Sequence, residues 1–135
     1  MEEVILEKKS SLSQKNMEAY FATHDVQYVA EDGVFTHMST GEKTVGREAV
    51  RQMLHYIYHV AFDAKAQIRN TIITEHKAVL EMDFVGKHTG EFAGMQATGK
   101  QVNFPITIVY DLENGLISQA RVYMLTDVLM KQLTS

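Results

Sequence analysis

Cysteine and tryptophan are absent from the 135 residues, and proline occurs once, at Pro105. Without cysteine there are no disulfides, thiol nucleophiles or thiolate metal sites. No apolar run approaches the roughly 20 residues needed to span a bilayer. The acidic start MEEVILEKKS offers only Val4-Ile5-Leu6 as an apolar stretch, far short of a signal segment. Basic charge is not in excess either: 13 Lys and Arg stand against 17 Asp and Glu, a formal charge of −4, so a phosphate backbone is not attracted. These absences point to a cytoplasmic protein with no nucleic-acid and no membrane partner. What is present, 45% hydrophobic and 22% charged residues, suits one domain over residues 1–135 with no linker, repeat or low-complexity tract.

Apolar points at Leu6, Leu12, Met17, Tyr20 and Phe21 predict a first helix over residues 6–22. His24-Asp25 opens a short turn to Val29, and GVFTHM at 33–38 predicts a strand closed by Ser39-Thr40-Gly41. Residues 46–62 predict an amphipathic helix with Val50, Met53, Leu54, Ile57 and Ala61 facing inward. From Asp63 the period changes from 3.6 to 2, which predicts strands at 64–75, 78–87, 102–112 and 116–125. Glu75-His76-Lys77 makes one turn, Asn114-Gly115 makes a hairpin, and residues 127–133 form a closing helix. Helices followed by an antiparallel meander define the α+β class. In the strand from Val102, the residues Val102, Phe104, Ile106, Ile108 and Tyr110 share one face. With Val109 and Pro105 on the other, the strand reads as buried on both sides, by helices and by a second subunit.

Gly94 to Lys100 spells the first seven positions of a phosphate-binding GxxxxGK[ST] loop. Gln101 replaces the hydroxyl residue that would hold magnesium, and a strand follows instead of a helix. The segment reads as a mobile glycine-rich loop, with Phe92 and Met95 placed to cover a cavity mouth. His55 and His59 share a helix face opposite the inward stripe and read as surface histidines, so no metal or other cofactor is expected. His37, between Thr36 and Met38, is either a satisfied half-buried histidine or a pocket acid or base. Glu81 and Asp83 fall on the polar face of their strand, a solvated or interface position. No GxSxG supports a serine nucleophile.

A long first helix, GREAVRQML after a turn, a four-strand meander ending in ENGLISQARVYM, and GEFAGMQATGKQV at 90–102 together resemble the SnoaL-like polyketide cyclases or ester cyclases. More broadly, the chain is similar to the nuclear transport factor 2 and ketosteroid isomerase superfamily. The resemblance implies a cone-shaped α+β barrel of the cystatin-like or nuclear transport factor 2-like kind, a curved antiparallel sheet wrapped around the N-terminal helices. It places His37 at the general-base position on the first strand, Thr107 where an oxyanion-hole carboxylic acid stands, and Tyr20 as a candidate for the oxyanion tyrosine. The aspartate of SnoaL-type cyclases on the last strand corresponds to Leu125, and Asp127 reads as a helix cap. Strand alternation separates Thr107 and Asn103 from the apolar set, whereas the resemblance makes the Thr107 face the cavity lining; the expectation follows the resemblance.

The resulting expectation is a small, largely apolar ligand, a polycyclic or terpenoid carbonyl compound, held in a conical cavity. Phe35, Met53, Ile57 and Phe84 form the walls, and His37, Thr107, Asn103 and Tyr20 supply the polar contacts. The chemistry is cofactor-free proton transfer of isomerase or cyclase type, with His37 moving the proton and Thr107 or Tyr20 bonding a developing enolate. The alternative is a non-catalytic dimeric binding or scaffolding module of the same fold, and in either case the homodimer forms through the sheet.

Overall fold

The computed structural model describes residues 2–135, with side chains from residue 11 onward. Helix α1 (Glu2–Thr23) begins before the predicted start. Leu6 lies outside the described side chains. Met17, Tyr20 and Phe21, spaced three and four apart, bury one stripe, while Leu12 stays exposed. Asp25 caps a single 3₁₀ turn, Val26–Tyr28, by accepting the Gln27 N–H at 2.9 Å. Strand β1 (Val29–His37) follows, then β2 (Lys43–Val45), which the sequence did not reveal.

Helix α2 (Arg47–His55) stops seven residues short of the predicted end at Phe62 and passes into a π turn, Tyr56–Ala61. The wider turn rotates Tyr58 into the core and leaves Ile57 half-buried. A neighbouring segment holds this register. Thr89 and Gly90 donate their N–H groups to the Ala61 carbonyl at 2.9 and 3.0 Å, and the Thr89 hydroxyl donates to the Val60 carbonyl at 3.0 Å. Gly90 approaches so closely that a Cβ would lie 2.4 Å from the Val60 oxygen.

Four long strands complete the sheet: β3 (Phe62–Ile73), β4 (Lys77–His88), β5 (Gln101–Glu113) and β6 (Leu116–Met124). The order is β2-β1-β6-β5-β4-β3, with β3 to β6 antiparallel and β1 joining β6 in parallel. Asn114 and Gly115, at φ 53° and 75°, make the tight turn between β5 and β6 that their dipeptide predicts. The sheet is curved and unclosed. Its concave face carries Leu80, Met82, Phe84, Phe104, Ile106, Ile108, Tyr110 and Phe35 against the helices. On β5 the opposite face is not sealed by the chain: Asn103 and Pro105 are exposed, and Thr107 and Val109 are half-buried. Burial on both sides of this strand therefore does not hold within the single chain.

Helix α3 (Thr126–Thr134) packs Leu129 and Leu133 inward. Its Gln132 side chain accepts the Asn103 N–H at 2.8 Å and donates to the Asn103 carbonyl at 2.7 Å, tying the helix to the start of β5. Asp127 sits in the first turn and does not cap it, because the cap position belongs to Leu125.

Candidate functional site

The concave face is largely apolar, with His88 buried at the end of β4 and a polar cluster at its centre built from three elements. Tyr20 comes from α1, and His24 closes that helix in the left-handed region (φ 56°), its N–H donating to the Tyr20 carbonyl at 2.7 Å. Glycine or asparagine is the usual occupant of such a position, so a histidine there carries backbone strain. The His24 ring lies 4.6 Å from that of Tyr58 and meets Tyr20 edge-on at 5.6 Å. Tyr20 in turn meets Tyr110 of β5 edge-on at 6.1 Å, and Phe35 meets Tyr110 at 6.5 Å. The Tyr58 hydroxyl lies 3.9 Å from Met82 Sδ.

Burial pushes the pKa of all three tyrosines well above the ordinary phenol value, and the mutual proximity of their hydroxyls adds to the rise for Tyr20 and Tyr110. They are therefore permanent O–H donors in the physiological range. For His24, burial and then the nearby His59 lower the pKa, which keeps its imidazole neutral. Among the described residues the Tyr20 and Tyr110 hydroxyls have no hydrogen-bond partner.

His37 lies on the same face. In the regular pairing from Val34 to His37, it stands two residues beyond Phe35 and opposite Val122, which pairs with Ile108. Its backbone is held by a turn: the N–H donates to the Glu42 carbonyl at 2.8 Å, and its carbonyl accepts the Gly41 N–H at 2.7 Å. The ring Nδ1 is buried with no hydrogen-bond partner among the described residues. An orphaned buried nitrogen of this kind costs roughly 1–3 kcal/mol, so it invites a functional explanation. Residual accessibility on the concave side gathers nearby. Ile106, Ile108 and Tyr58 retain 7 to 9% exposure, and Val122, Met124, Met53 and Ile57 are half-buried, whereas Phe84 and Phe104 are sealed.

The expected site is thus assembled only in part. His37, Tyr20, Phe35 and Phe84 are on the concave side, and Met53 and Ile57 border it from α2 and the π turn. Thr107 and Asn103 are not. They project from the outer face with Pro105, so the lining inferred from the resemblance is corrected by the alternation of β5, which buries Ile106 and Ile108 instead. Thr107 borders an outer groove of about 460 Å³ with Met38, Ser39, Pro105, Tyr123, Met124 and Leu125. His24, Tyr58 and Tyr110 escaped the sequence reading as site residues. The spacing of Tyr20 and His24, four apart on one helix face, was the available signal for the first; the π register of Tyr58 left none.

Glu81 is exposed as expected, whereas Asp83 is buried by Arg69, whose Nε donates to its carboxylate at 2.6 Å. The glycine-rich loop holds no helix N-terminus for a phosphate. Phe92 and Met95 pair across it, and Phe92 packs on Phe62 with ring centres 5.2 Å apart. Thr98 fixes His88, a fully buried histidine of β4, by donating its N–H to Nδ1 at 3.2 Å. No described helix is long and apolar enough to cross a membrane.

No curated protein matches the chain, but many solved structures do. A protein described as a SnoaL-like polyketide cyclase from Jannaschia sp. CCS1 superposes with a TM-score of 0.82 at 13% identity, covering 93% of this chain and 94% of that one. TsrD from Streptomyces laurentii superposes with a TM-score of 0.75 at 21% identity, covering 92% and 96%. A ketosteroid isomerase-like fold from Catenulispora acidiphila gives 0.64 at 14% identity, covering 79% and 77%. These likenesses establish the fold. The profile of the SnoaL-like polyketide cyclases matches residues 14–133, nearly the whole chain, and the protein belongs to that family.

Proposed function

We propose that the protein binds a small, largely apolar carbonyl compound against the concave face and catalyses cofactor-free proton transfer on it. One observation carries this reading: the His37 Nδ1 is buried without a partner among the described residues on the concave face, where the rings of Tyr20, Tyr58 and Tyr110 also pack. In the tautomer that leaves Nδ1 its lone pair, His37 removes a proton from the carbon beside the carbonyl. The electron pair of that C–H bond forms the enolate double bond, and the negative charge moves to the carbonyl oxygen. A tyrosine O–H, Tyr20 in the first instance, donates to this oxygen, and the imidazolium returns the proton to the same carbon or, where a C=C bond adjoins that carbon and the enolate is a dienolate, to the far end of that bond, which shifts the double bond. Met53, Ile57, Ile106 and Ile108 provide the apolar contacts. Thr107 has no part in this scheme.

Deuterium uptake at the carbon beside the carbonyl of β-tetralone, followed by proton NMR, tests the reading. Uptake above the buffer rate is expected for the wild type and is expected to fall by roughly 100-fold or more in His37→Ala. Full uptake in that variant rejects His37 as the base.

A second reading has its own support. Ring upon ring fills the concave side, from Tyr110 through Tyr20, His24 and Tyr58 to Phe84, as a packed core would. This favours a non-catalytic dimeric module, in which a second copy covers the apolar outer face bearing Tyr123 and Leu125. Wild-type uptake no faster than buffer favours it over proton transfer.

A further inference from the structure

We propose that His55 and His59 form an open binding site for a borderline divalent cation of the zinc or nickel type, on the outer side of the π turn. The two residues close α2 and enter the turn four positions apart, and their rings lie 5.4 Å centre to centre with planes 35° apart. Both are exposed, and among the described residues neither ring has a hydrogen-bond or carboxylate partner. Two imidazoles bound to one tetrahedral cation at metal–nitrogen distances of about 2 Å have ring centres about 5 Å apart. The observed centre-to-centre spacing of 5.4 Å is close to that value.

Imidazole pairs suit zinc, nickel and copper and do not suit magnesium or calcium, which take oxygen donors. No group of three His, Cys, Asp or Glu side chains completes a closed site among the described residues. The cation would keep positions for water or for an oxygen of a small molecule, as open sites do. Its place matters because Tyr58, one of the three residues between the two ligands in the chain, is buried against His24. His59 also lies near enough to His24 to help lower its pKa. A cation here would clamp the last turn of α2 to the π turn and so hold the segment that presents Tyr58.

Isothermal titration of the full chain with Zn²⁺ in metal-free buffer tests the site. One cation per chain is expected, with affinity weakened roughly tenfold or more in His55→Ala and in His59→Ala. His76→Ala, at an exposed histidine of the β3–β4 turn, is expected to bind as the wild type does. Circular dichroism melts confirm that the variants fold, since both ligands are on the surface. Absence of saturable binding by the folded wild type, or wild-type affinity in His59→Ala, overturns the proposal.

Discussion

Tyr20 shows how a single residue can weaken the core it belongs to. Its ring is almost wholly buried, yet its hydroxyl has no hydrogen-bond partner among the described residues. Removing that oxygen breaks no hydrogen bond within the described residues and leaves the ring contacts with Phe21, His24 and Tyr110 in place. Tyr20→Phe is therefore expected to raise stability by up to about 1 kcal/mol in urea denaturation. If the proton-transfer reading holds, deuterium uptake falls in the same variant, the exchange of stability against function that strained sites display. A loss of more than about 1 kcal/mol would mean that the hydroxyl is a structural donor. At His37 the sequence setting favours a satisfied half-buried histidine over a pocket acid or base, and the structure leaves its buried Nδ1 without a partner among the described residues.

At the scale of elements, the outer face of the sheet is tied across three strands by Asp111. Its carboxylate takes two bonds from Arg121 of β6, at 2.9 and 3.0 Å, and one from Lys77 of β4. These bonds, led by that from Arg121, lower its pKa to about 2 against an opposing effect of burial that exceeds the contribution of the Lys77 bond. A carboxylate depressed on folding adds stability above its unfolded pKa, and this is lost as pH falls toward the folded value. Wild type should exceed Asp111→Asn by roughly 1 kcal/mol at neutral pH, allowing for solvent screening, and the gap should close between about pH 4 and pH 2. A gap independent of pH in urea titrations would assign the effect to packing. The meander that carries this network was legible because period-2 alternation and Asn114-Gly115 act locally. The parallel pairing of β1 with β6 and the short β2 were not, since both depend on contacts distant in sequence. The π turn was hidden for another reason: its register is held by Thr89 and Gly90, up to 29 residues downstream at the start of the glycine-rich loop.

At the scale of the molecule, the two faces of the sheet compete for the role of binding surface, and Thr107 decides how they are told apart. The resemblance put Thr107 in the cavity, while alternation along β5 put it outside, and the structure follows alternation because Ile106 and Ile108 have the helices to cover them. The outer side retains Tyr123, Leu125 and Met38 at 41 to 56% exposure around one groove. A stable dimer hides about 800 Å² per partner, so a second copy would have to cover this groove and the outward residues beside it on β5 and β6. Sedimentation equilibrium is expected to give a dimer for the wild type and a monomer for Thr107→Arg, whose charge would be buried at that contact. Because Thr107 lies outside the concave site, the monomeric variant should keep its fold, and any remaining deuterium uptake would locate the chemistry within one chain. A dimer unchanged by Thr107→Arg would move the interface elsewhere.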